Sequence, residues 1–114
     1  MEMNTASNEY IDVNDALARV GGNMSLYKRL LGRFIEGDPI GDIEGAIQNG
    51  NMEEAVRHAH SLKGVSANLS LPKVRAASLE LEQLLKDNAD YTACITGLKQ
   101  VYKATLEKIA ELME

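Results

Sequence analysis

Apolar residues recur along this chain at helical spacing. Tyr27, Leu30, Leu31 and Phe34 fall on one face of a segment that starts near Asn23. Ile40, Ile43 and Ile47 continue the stripe to Asn49-Gly50, which reads as a turn. Between the two lies Gly37-Asp38-Pro39, which predicts a kink or restart because proline lacks an amide hydrogen and crowds the preceding turn. From Met52 to Leu69 the positions Met52, Ala55, Ala59, Leu62, Ser66 and Leu69 follow a 3-4-3-4-3 spacing. That spacing makes a narrow seam suited to shallow helix crossing. Pro72 fits the first turn of the next helix, which carries Val74, Ala77, Ser78, Leu81, Leu84 and Leu85 before Asp87-Asn88 breaks it. A last segment carries Tyr91, Cys94, Ile95, Leu98, Val101, Tyr102, Thr105, Ile109 and Leu112. Near the start, Asp12 or Asn14 can cap a short helix holding Ala16, Leu17 and Val20, which Gly21-Gly22 ends. Residues 1–8 are polar and unpatterned and read as a flexible tail, leaving 9–114 as one domain. The expected fold is all-α: an antiparallel up-down four-helix bundle with an additional short N-terminal helix.

Composition narrows the function classes. With 45% hydrophobic and 25% charged residues, the 114-residue chain suits one soluble domain with a modest core. A net charge of −5 argues against nucleic acid as a partner. Cys94 is the only cysteine, so no intramolecular disulfide can form, which fits a reducing compartment. No apolar run reaches the ~18–20 residues of a membrane span. A cytoplasmic monomer with no membrane association is expected.

Candidate chemistry gathers on the third long segment. At about 100° per residue, His60 points roughly 125° from the centre of the apolar seam and should face solvent. Glu53, Val56, Arg57, Lys63, Gly64 and Ala67 stack around it. Gly64 sits one turn beyond His60 in mid-helix, where glycine costs about 1 kcal/mol relative to alanine. Ala67, a further turn on, is also small. Between Ala55 and Leu79 the chain has four basic residues (Arg57, Lys63, Lys73, Arg75) and no acidic one, a local patch suited to an anion or an acidic surface. Each feature alone has an ordinary explanation: a solvated histidine, a glycine for close helix contact, a solvated basic face. Their coincidence at one-turn spacing is what favours chemistry. Other chemistries lack support. His58 and His60 point about 200° apart and cannot grip one metal ion, and two histidines with one cysteine are too few soft ligands. The carboxylates read as lying on solvent faces, Cys94 reads as core, and no Gly-rich nucleotide cradle follows a strand. Neither a metal nor a cofactor of its own is expected.

The run Ala59-His60-Ser61-Leu62-Lys63-Gly64 resembles the A-H-x-L-K-G signature of histidine phosphotransfer (HPt) domains. The likeness extends to Leu17–Gly22, Leu26–Ile35, Asn49-Gly50-Asn51 and Leu79-Glu80-Leu81-Glu82. It implies that His60 is the phosphoacceptor, that Lys63 lies near the phosphoryl oxygens, and that Gly64 leaves room for a partner. It further implies that Arg57, Val56, Ala67 and Asn68 lie on the partner-binding surface. Ala67 and Ser70 stand where the family commonly has glycine, which leaves the loop geometry after the site helix open. The implied partner is a receiver domain of a response regulator or hybrid histidine kinase, which would supply the acidic cluster and Mg²⁺. The chain would then be a covalent carrier relaying phosphoryl groups between receiver aspartates in a phosphorelay, and not an enzyme. Two alternatives stay open: the phosphoacceptor domain of a chemotaxis-type kinase, and a helical binding bundle that never carries phosphate.

Overall fold

The computed structural model describes residues 8–114. The expected tail therefore lies outside the described residues, except for Asn8. The Asn8 side-chain oxygen accepts from the backbone N–H groups of Tyr10 (2.8 Å) and Ile11 (3.1 Å), turning the chain toward the core. Six helices follow: α1 (Val13–Arg19), α2 (Met24–Glu36), α3 (Pro39–Gln48), α4 (Met52–Asn68), α5 (Pro72–Lys86) and α6 (Thr92–Met113). Among the described residues there is no strand.

Local chemistry sets the boundaries. Asp12, Asn23, Asp38 and Asn51 each accept from the backbone N–H three residues on, at 3.0–3.2 Å, satisfying a donor with no partner inside its helix. Of the two caps considered for the first helix, Asp12 is the one used. Pro39 and Pro72 occupy first turns, where the missing amide hydrogen removes no helical bond. The expected kink at Gly37-Asp38-Pro39 is a full restart, with α2 stopping at Glu36 and α3 beginning at Pro39. Gly21, Gly22 and Gly50 take left-handed conformations at the turns where glycine was expected to end a segment.

Helices adjacent in sequence pack as neighbours, α3 on α4, α4 on α5 and α5 on α6, with α4 and α5 the most intimate pair. The two pieces of the broken arm follow one another along α6. Glu44 pairs with Lys99 at 2.8 Å, the Phe34 ring meets the Tyr102 ring at 5.7 Å, and Gly32 lies beside the Met113 side chain. α2 and α3 thus share one arm of the four-helix bundle, with α1 added at one end.

The seam read from the sequence is the buried face of α4. Ala55, Ala59, Leu62, Ser66 and Leu69 are buried, and Met52 is half-buried. The small Ala55, Ala59 and Ser66, facing a helix that contributes Ser78, let backbones approach closely. The buried hydroxyls stay satisfied, because Ser66 donates to the Leu62 carbonyl and Ser78 to the Val74 carbonyl, both at 2.7 Å.

The turn after α4 resolves the geometry that the sequence left open. Ser70 has φ of 60°, the left-handed conformation that glycine adopts without cost. The backbone closes with Leu71 N–H on the Ser66 carbonyl at 2.9 Å. The strained serine is held from two sides: its hydroxyl donates to Asp15 Oδ2 at 2.7 Å, and its carbonyl accepts from Asp12 N–H at 2.9 Å. The buried Tyr27 hydroxyl donates to the neighbouring Leu69 carbonyl at 2.7 Å. These bonds fasten α1 and α2 to the end of α4. No helix among the described residues is long and apolar enough to cross a membrane.

Candidate functional site

α4 is well founded at its start. Asn51 caps it and also donates from its side chain to Glu54 Oε1 at 3.0 Å, while Glu53 and Glu54 place negative charge at the positive end of the helix dipole. Two turns on, His60 leaves the seam as the 100° rule requires, and 63% of its side chain is exposed.

The imidazole is nonetheless fixed. Its Nδ1 lies 2.9 Å from Oε2 of Glu82 on α5. Nε2 makes no hydrogen bond among the described residues, so the ring is anchored through one nitrogen and open at the other. Glu82 is only 6% exposed in its side chain and gathers two cations: Lys63 Nζ at 3.1 Å from Oε1 and Lys86 Nζ at 3.2 Å from Oε2. The Lys63 contact is an ion pair without an aligned hydrogen bond, so Oε1 keeps an unused lone pair away from water. Burial pushes the Glu82 carboxyl up. The contacts from His60, Lys63 and Lys86 outweigh it, and the group sits below its ordinary value as an ionised carboxylate. A carboxylate on Nδ1 fixes the neutral ring as the Nδ1–H tautomer and leaves the lone pair on Nε2, toward solvent.

Glu82 corrects the expectation that the carboxylates lie on solvent faces, and it adds an acidic group to the local basic patch expected around His60. The signal was its register. Glu82 follows Ser78 by four and precedes Leu85 by three, both buried, so it occupies the edge of the core stripe of α5. Lys86, one turn further, was missed with it.

The remaining expected residues divide. Gly64 is exposed, and a Cβ built there meets no atom within 4 Å. No helix contact requires this glycine; it leaves bare surface beside the imidazole. Val56 is half-buried and Arg57 exposed, one turn before His60, and Arg57 forms no ion pair among the described residues. Ala67 lies further off, in a shallow cleft with Asp15, Ser70 and Arg75 between the ends of α1 and α5. Asn68 is separate again: about 12 Å along the helix axis from His60, it faces a groove of about 570 Å³ between α2 and α4, with Leu30, Phe34 and Val65. The structure therefore joins His60 and Lys63 through Glu82 and puts Gly64 beside them, while Ala67 and Asn68 border the surface at its far end. Among the described residues no cluster of three metal-ligating side chains occurs.

Comparison with known proteins gives one finding. The family model described as Hpt domain matches residues 30–113, which contain α3 to α6 and most of α2. No curated protein and no solved structure gives a match.

Proposed function

Because this chain belongs to the Hpt domain family, the phosphocarrier modules of two-component signalling, we propose that His60 carries the phosphoryl group and relays it between receiver-domain aspartates. The observation that supports this reading best is the asymmetric imidazole, with Nδ1 held by a buried carboxylate and Nε2 open to a docking partner. In-line attack by a reachable, oriented nitrogen on a receiver acyl phosphate needs little else from the carrier, since phosphoryl transfer depends mainly on positioning and on neutralising the equatorial oxygens. Lys63 and Lys86 supply that neutralisation from this side through charge-assisted contacts. The receiver supplies its own acidic cluster, Mg²⁺ and lysine, so the carrier relies on its partner's active site and needs no cofactor. Val56, Arg57 and Gly64 form the near part of the docking surface, and Ala67 and Asn68 its far edge. The carrier acts as a monomer in the cytoplasm.

The test is transfer from a receiver domain charged with acetyl phosphate and Mg²⁺, comparing the wild type with His60→Gln by intact mass before and after mild acid. The expected result is one acid-labile phosphoryl addition in the wild type and none in the variant, with the fold of the variant unchanged by circular dichroism. Acid-labile phosphorylation that persists in His60→Gln, or no loading of the wild type by several receivers, overturns the reading.

A further inference from the structure

Orientation alone does not account for Glu82. A neutral amide would accept the Nδ1–H as well, without the desolvation cost of a carboxylate whose side chain is 94% withdrawn from water (6% exposed). In the resting protein Lys63 and Lys86 offset that cost as ion pairs: Lys86 is half exposed, and Lys63 lacks an aligned hydrogen bond to the carboxylate. A phosphoryl dianion on Nε2 competes for both lysines. The group left facing Glu82 is then the imidazole itself.

Building on the carrier reading, we infer that Glu82 keeps the Nδ1 proton on phosphorylated His60, so that phosphoryl transfer in both directions proceeds without exchange of a proton with solvent. On loading, the Nε2 lone pair forms the N–P bond while the acyl O–P bond breaks and its electron pair stays on the receiver aspartate. The ring becomes a phosphoimidazolium whose Nδ1–H remains on the Glu82 carboxylate. On return, the N–P bond breaks, its pair goes back to Nε2, and a neutral imidazole leaves with the same proton still in place. Without a negative charge at Nδ1, the phosphorylated ring loses that proton as pH rises. Its leaving group is then an imidazolate, which departs poorly. The charged groups around the ring fit this assignment. Lys63 and Arg57 on α4 and Lys86 on α5 oppose a positive ring, while Glu53 stands two turns away at the helix start. Among the described residues, Glu82 is the one carboxylate paired with it.

The experiment uses the whole chain, loaded on His60 by phosphoramidate, and measures return transfer to one Mg²⁺-bound receiver from about pH 6.5 to about pH 8.5, a range spanning the ordinary imidazole transition. The wild-type rate is divided by that of Glu82→Gln on the same receiver, which cancels the titration of the receiver. The expected ratio rises about tenfold per pH unit over the upper part of the range, as a single lost proton requires. A ratio constant with pH, the result for a group that only orients the ring, overturns the inference. A second measurement needs no variant: ¹⁵N NMR of the loaded wild type is expected to show Nδ1 protonated throughout, and titration of Nδ1 like that of free Nε2-phosphoimidazole overturns it. A failure of His60 to load at all is a different result, which removes the carrier reading and this inference together.

Discussion

The middle of α4 and the turn that closes it use glycine in opposite ways. At position 64 the backbone is ordinary helix, a Cβ would meet nothing within 4 Å, and the chain nevertheless has glycine. At position 70 the backbone is left-handed, where glycine would be free of strain, and the chain has serine. Local stability would favour the reverse assignment. The serine is explained inside the molecule, because its hydroxyl and carbonyl bind α1. The glycine has no such explanation inside the molecule; it leaves open surface next to His60. One position serves the fold and the other, on the carrier reading, a partner, although they are six residues apart on the same segment.

The strongest way to break this comparison is to fill the open surface. Gly64→Leu is expected to slow phosphoryl transfer about a hundredfold, the cost of displacing reacting groups by about 1 Å, while circular dichroism stays that of the wild type. An unchanged transfer rate would leave the glycine without a role. Next in size, Gly64→Ala is expected to stabilise the fold by about 1 kcal/mol in urea unfolding, since alanine regains helix propensity without a clash. A loss of stability there would mean that the fold needs the glycine after all. The smallest effect is at the turn. Ser70→Ala keeps the left-handed strain and loses the bond to Asp15, so its urea midpoint should fall by less than Gly64→Ala gains, with transfer unaffected. It should also flatten the acid limb of the stability curve. The Ser70 hydroxyl, with Arg19, holds the Asp15 carboxyl below its ordinary value of 3.8. A lowered carboxyl stabilises above that value and loses its contribution as pH falls through the folded one. Removing the hydroxyl removes part of that loss. An acid limb as steep in Ser70→Ala as in the wild type would show that the bond does not contribute.

Much of the frame was legible because it is local. The 3-4 seam of α4, a cap at Asp12 or Asn14, the helix starts near Asn23 and Met52 and the interruption at Pro39 follow from residues within a turn or two of one another. So does the outward direction of His60, which needs only the helical angle. Glu82 was not legible in that way. It lies 22 residues from His60, and their meeting depends on the register between α4 and α5, which a one-dimensional pattern does not set. A carboxylate beside an apolar stripe also reads as solvated until the neighbouring helix is in place. The geometry at Ser70 stayed open for the converse reason: nothing in a serine announces a left-handed backbone, and the bonds that hold it come from residues 55 and 58 positions earlier. Asn68 shares the site helix but not the site's immediate surroundings, since eight residues carry it two turns away.

Sequential packing of the helices also has a consequence in time. From α3 to α6 each helix meets the next across a short connection, so little chain entropy is lost in bringing them together, and this part of the molecule belongs among fast-folding topologies. The hydrogen bonds that tie α1 and the start of α2 to the end of α4 gather in one place: Ser70 to Asp12 and Asp15, and Tyr27 to Leu69. Opening that begins at these ties frees α1 and the start of α2 while the α4–α5 pair stays closed. In hydrogen exchange, amides of α1 and the start of α2 then belong to the early-exchanging class. The amides beneath His60 and Glu82 wait for the whole bundle to open, so the ring and the carboxylate keep their register through most of the excursions the molecule makes.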